Sequence, residues 1–182
     1  MSAASPPESV PGFYERVRRG LRAGGLPIGE ALHPVTLAAL ALLIVNDWVM
    51  KPRFGPSLVT GKLSDIAGLV AAPLLLSALI GLALWAASKL GADTAAPVTA
   101  GRLAVCVAAT GLAFTAVKLS ERAAGWFVAA VELLGRPAEV FLDPSDLLCL
   151  PALAVAWWIG RDEIRRQHSD RAQRRPGRGA RM

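Results

Sequence analysis

The chain has 182 residues, of which 53% are hydrophobic and only 19% charged, with a formal net charge of +6. Its mean hydropathy is +0.43. This composition excludes a disordered chain, which needs low hydrophobicity, and it is more apolar than an ordinary soluble domain. Two cysteines exclude a disulfide-rich scaffold and a cysteine-based zinc site. What remains is a single all-α integral membrane domain, because helices satisfy their own backbone hydrogen bonds in lipid.

Residues 1–30 are rich in Pro, Gly and Arg and read as a basic, solvated tail. Crossing a hydrocarbon core takes about 20 mostly apolar residues. The first predicted span covers residues 31–50 and carries Asp47; the lead before it and the missing cleavage site argue against a signal peptide. A turn-rich stretch, residues 51–61, leads to the second span, residues 66–87. The third covers residues 103–117. Residues 120–142 form a long loop with an apolar stretch at 125–134, too short to span and read as an interfacial or re-entrant helix. The fourth predicted span, residues 144–160, is just long enough if Arg161 snorkels. Residues 161–182 hold eight arginines and read as a second basic tail. The expected fold is therefore a four-helix transmembrane bundle with a short helix in one loop.

Four spans put both termini on one side. That side would carry fourteen Lys and Arg against six on the other, so the positive-inside rule predicts cytoplasmic termini. Without the fourth span, eight arginines would lie outside. The tryptophans agree: Trp48 and Trp126 fall at the expected outer interface, Trp85, Trp157 and Trp158 at the inner one. Cys106 and Cys149 are expected at depths roughly 15 Å apart, too far for a disulfide, and are read as small buried hydrophobes.

Topology and charge together predict a polar cluster at the outer face. Asn46, Asp47 and Lys51 close the first span. Lys62, Ser64 and Asp65 open the second. Lys118 closes the third, and Asp143, Ser145 and Asp146 open the fourth. Several have plain structural readings. Asp143-Pro144-Ser145-Asp146 fits a helix start, and Ser64-Asp65 fits another. Asp47 and Lys51 are spaced as a helical ion pair. An acid in the last turn of an apolar run is costly without a partner, which singles out Asp47. Lys118 continues a stripe of Ala104, Ala108, Gly111 and Thr115, a pattern that packs helix on helix, so it is expected to point into the bundle.

Lysines and two helix N-termini favour an anionic group, while Asp65 and Asp146 could act as acid and base or hold a divalent cation. The cluster contains no histidine, since His33 and His168 lie elsewhere, and this removes histidine-based phosphatase chemistry and a zinc site. Gly61-Lys62 lacks the spacing of a phosphate loop. No cofactor is evident.

Residues 45–73, VNDWVMKPRFGPSLVTGKLSDIAGLVAAP, resemble a stretch found in small uncharacterised bacterial membrane proteins, and the layout resembles the VanZ-like family. Lys62 and Asp65 would match that family's polar opening of the second span. Arg136 with Asp143 and Asp146 would match the arginine and aspartate motif that opens its last span. The histidine and tyrosine expected after the first element are replaced by Ile66-Ala67-Gly68-Leu69. The asparagine and glycine expected after the second are replaced by residues 147–151. The resemblance implies a cell-envelope role and assigns no catalytic residue.

The expected protein sits in a bacterial cytoplasmic membrane. Its outer polar site would bind or process an anionic lipid or lipid-linked precursor, with Asp65 and Asp146 as candidate catalytic groups. Asn46, Asp47, Lys51, Lys62, Ser64, Lys118 and Asp143 would be binding groups. The alternative is a non-enzymatic scaffold or accessory subunit of an envelope complex. Membrane lipids are the expected partners, with a homo-oligomer or envelope complex left open and no nucleic acid. With Cys106 and Cys149 replaced, a cysteine at Ser57 is expected to react with an impermeant thiol reagent in intact cells, and one at Ser169 is not. The reverse labelling pattern would place the polar cluster in the cytoplasm.

Overall fold

A computed structural model describes residues 16, 20–21, 26–55, 57–93, 97–133, 135 and 140–173. Arg136, most of residues 1–30 and residues 174–182 lie outside the described residues. Among those described, all regular structure is helical. The first rod runs Pro34–Phe54. It consists of α1 (Pro34–Val45), a π-helical turn (Asn46–Met50) and α2 (Lys51–Phe54). Then come α3 (Leu58–Lys89), α4 (Ala100–Leu119) and α5 (Glu121–Glu132). A 3₁₀ turn (Pro144–Cys149) precedes α6 (Ala152–Gln173).

Three of these rods are long and apolar enough to cross a membrane: Pro34–Phe54, Leu58–Lys89 and Ala100–Leu119. Half of the most apolar window of α3 is buried, against 11% for each of the other two. That contrast makes α3 the central helix, with α1, α4 and α6 packed on it. Helix α6 is not among the three, because its apolar first turns give way to Arg161, Asp162 and Glu163.

Side chains stop the fraying of the helix starts. His33 caps α1 by accepting the Val35 N–H through Nδ1 at 3.3 Å, with Pro34 next, where its missing N–H costs nothing. Ser57 and Thr60 form a reciprocal capping box on α3. Thr99 caps α4 and Ser120 caps α5. The second span therefore begins at Leu58, eight residues before the predicted start. Ser64 and Asp65 stand inside the helix and are not its cap.

The core lies where α3, α4 and α6 meet and contains Leu74, Leu103, Ala156 and Ile159. Two glycines set the spacing between α4 and α6. A methyl group on Gly160 would overlap the Leu103 side chain, and one on Gly111 would come within 2.9 Å of Leu153. This corrects the expected stripe on α4. Ala104 and Ala108 face outward, while Leu103 and Cys106 form the buried face. Cys106 and Cys149 are both buried and unpaired.

Helix α5 confirms a helix in the long loop, and Trp126 is 72% exposed on it. Replacing the buried Leu103 with Ala should cost about 3 kcal/mol. Gly160→Ala should cost about 1–3 kcal/mol through overpacking. In the Leu103→Ala background the second cost should largely vanish, because the clashing side chain is gone. A double-mutant cycle of unfolding in detergent checks this, and additive costs would refute the direct contact.

Candidate functional site

The predicted polar residues do come together, at the end of the bundle where α4 finishes. Their placement begins with the π turn. There the Lys51 N–H bonds to Asn46 O, one residue beyond the α-helical spacing. The turn brings both Asn46 and Asp47 onto α3. Asn46 is fully buried and donates through Nδ2 to Thr60 O at 2.7 Å and Ser64 Oγ at 2.6 Å. The Thr60 carbonyl fixes the amide orientation, since a flipped Asn46 would set oxygen against oxygen. Among the described residues, Asn46 Oδ1 is buried without a donor. Ser64 in turn donates to Asp47 Oδ1 at 2.7 Å, and Lys51 Nζ pairs with the same oxygen at 2.7 Å. The cost of Asp47 near a helix C-terminus is thus met by a hydroxyl and an ammonium.

The second half of the site is an ion-pair chain across three elements. Lys118 on α4 donates to Asp146 Oδ2 at 2.6 Å. It also stands 3.0 Å from Asp65 Oδ2 on α3, an ion pair without hydrogen-bond alignment. Lys62, one turn before Asp65, donates to Asp146 Oδ1 and to Ser145 Oγ, each at 2.9 Å. Lys118 therefore points into the bundle, with the Phe114 ring 5.6 Å from its ammonium, although the stripe on which this expectation rests is not the packed face, since its Ala104 and Ala108 face outward. Asp143 does what a helix start asks: its Oδ1 accepts the Ser145 N–H at 2.8 Å, with Pro144 at the first position. It caps the turn that presents Asp146.

Exposure grades the site. The Lys118, Asp65 and Asp146 side chains are between 10% and 16% exposed, whereas Lys62 is 34% exposed. Among the described residues no three His, Cys, Asp or Glu side chains gather to hold a metal ion. Asp65 and Asp146 each spend an oxygen on Lys118.

A second polar cluster, at the opposite end of the bundle, escapes the sequence reading. Glu30, expected in a solvated tail, is 0% exposed. Its Oε1 accepts from Ser77 Oγ on α3 at 2.9 Å and from Arg102 on α4 at 3.2 Å. Its backbone oxygen accepts from Thr36 Oγ1 at 3.0 Å. Glu163 on α6 is 1% exposed, and its carboxylate presses so closely on Gly29 that a methyl group there would overlap it. Gly81 similarly makes room for the Arg102 guanidinium. Burial pushes the Glu30 carboxyl above its ordinary range, and Glu163 acts in the same direction. Its own backbone N–H, Ser77 and Arg102 oppose the shift. The available signal was Ser77 and Arg102, two polar residues on inward faces of otherwise apolar helices, which need a partner.

No family model, curated protein or solved structure matches the chain. The VanZ-like resemblance therefore rests on the residues quoted for it. Lys118→Met removes the cation shared by two poorly exposed acids and should destabilise by about 3 kcal/mol. Lys51→Met breaks a half-exposed pair and should cost under about 1 kcal/mol. Thermal unfolding of the two variants tests this ranking; equal losses would remove the central place given to Lys118.

Proposed function

We propose that this chain is a four-span protein of a bacterial cytoplasmic membrane, with both termini in the cytoplasm. In this reading α6 and the 3₁₀ turn before it supply the fourth span, and the Lys118 end of the bundle faces outward. Its function is to bind the headgroup of an anionic lipid or lipid-linked precursor. VanZ-like envelope proteins are the family it resembles.

The observation that carries the binding reading is the position of Lys62. It is the most exposed member of its ion-pair chain, and it can leave Asp146 without stranding it, because Lys118 stays on the other carboxylate oxygen. A phosphate group arriving at this end would exchange one carboxylate oxygen for its own and find the Ser145 hydroxyl beside it. Asp65 and Asp146, both held by Lys118, fit the framework of such a site better than its acid and base. Binding is accordingly favoured over chemistry.

A second reading, an accessory or scaffold subunit, is favoured by Lys118 itself. One ammonium that ties α3, α4 and the 3₁₀ turn together is a structural device in its own right. Native mass spectrometry of the protein with phosphatidylglycerol, against phosphatidylcholine as control, separates the two. Losing this charge-assisted hydrogen bond should lower phosphatidylglycerol retention roughly tenfold in Lys62→Ala. Thermal stability should change little. Equal retention of both lipids by both proteins would favour the scaffold.

A further inference from the structure

The Glu30 cluster takes no part in the proposed lipid site, and its hydrogen bonds are distributed unevenly. Among the described residues, the two side-chain donors that reach the carboxyl group, the Ser77 hydroxyl and the Arg102 guanidinium, both arrive at Oε1, and the backbone N–H of Glu30 itself also favours the charged form. Oε2 is buried and, among the described residues, forms no hydrogen bond. An ionised carboxylate spreads its charge over two equivalent oxygens, and each asks for donors when water is excluded. A neutral carboxylic acid asks for donors at its carbonyl oxygen and an acceptor at its hydroxyl, and an unpaired neutral hydroxyl costs far less than an unpaired charged oxygen. The surroundings of Glu30 have the second pattern.

The groups around it agree. The charged and titratable neighbours among the described residues are Arg102 and the Cys106 thiol from α4, Glu163 from α6 and His33 at the start of α1. From α3 comes the neutral Ser77, and from α1 the neutral Thr36. Glu163 is seated over Gly29, the residue next to Glu30, so a second buried carboxylate lies beside the first. Two adjacent buried carboxylates resist double ionisation.

We propose that Glu30 is a proton-binding site, with its Oε2 carrying a proton at neutral pH. The ligand is a proton taken from water as residues 26–33 dock onto α3, α4 and α6. Bound there, it lets the lead into α1 close over the end of the bundle without a second buried negative charge.

Infrared spectroscopy of the full chain in lipid nanodiscs tests this directly. At neutral pH the carbonyl stretch of a protonated carboxylic acid should be present, should shift when glutamate is labelled with carbon-13, and should be absent in Glu30→Gln. A band that does not shift with labelled glutamate, or that survives Glu30→Gln, would overturn the assignment. So would the absence of any such band.

If Glu30→Gln fails to fold, Glu163→Gln supplies the second arm. Removing the neighbouring negative charge should move the titration of the band to lower pH, and an unmoved titration overturns the proposal. The sign for stability also follows. The stabilisation from the held proton is present at low pH and is lost as pH rises through the elevated Glu30 pKa, so the wild-type Tm should fall across that range. Glu30→Gln should flatten that fall.

Discussion

One ammonium group holds the polar end of this protein together. Lys118 reaches the end of α4 among helices whose surfaces are almost wholly apolar, where an unpaired charge would be expensive. It is accommodated because α3 presents Asp65 and the 3₁₀ turn presents Asp146 at the same depth. Everything else at that end follows from this arrangement. Lys62 takes the outer oxygen of Asp146, the Asp143 cap holds the turn that carries it, and Cys149 packs beneath, near the Lys62 carbonyl. In a medium where apolar burial drives helices together only weakly, such a contact and close packing at Gly111 and Gly160 do the work of a soluble protein's core.

The two ends of the bundle use the same ingredients in opposite ways. At the Lys118 end, acids and lysines alternate, and two lysines, Lys51 and Lys62, remain about a third exposed. At the Glu30 end, Glu30 and Glu163 are sealed and Gly29 and Gly81 let backbone and side chain meet without a gap. Between them lies an apolar middle of Val70, Leu74, Leu103 and Ile159. The two clusters are therefore separated by an apolar layer of the scaffold. Glu30 further means that the folded domain includes residues ahead of the first span.

Much of this was legible in the sequence wherever a local rule applied. Apolar run length found the three long rods; Lys118 points inward as expected, but on a stripe whose Ala104 and Ala108 face outward. Spacing alone paired Asp47 with Lys51, and the Asp143-Pro144 cap followed from local chemistry. What was not legible depended on partners distant in sequence. A lone Glu30 in a Pro- and Gly-rich lead looks like solvated tail until Ser77 and Arg102 are seen beside it. Ser64-Asp65 imitates a helix start as well as Ser57 does; only the long docked helix decides between them. On α4, small residues occur on every side, so composition could not say that Leu103 and Cys106, and not Ala104 and Ala108, face the core. Hydropathy is equally blind to whether a backbone bond closes over four residues or five.

That last distinction shapes the first rod. A π turn is an α-helix with one residue inserted, and each residue of a helix turns it by about 100°. The segment after Met50 is therefore rotated by about that much relative to an uninterrupted continuation of α1. The rod thus has two facings along one axis: the stretch before Asn46 is oriented by the apolar core, and Asn46, Asp47 and Lys51 by the polar end of α3. A single inserted residue lets one span satisfy two incompatible registers, and the face it shows to lipid changes direction at the depth where its polar contacts begin.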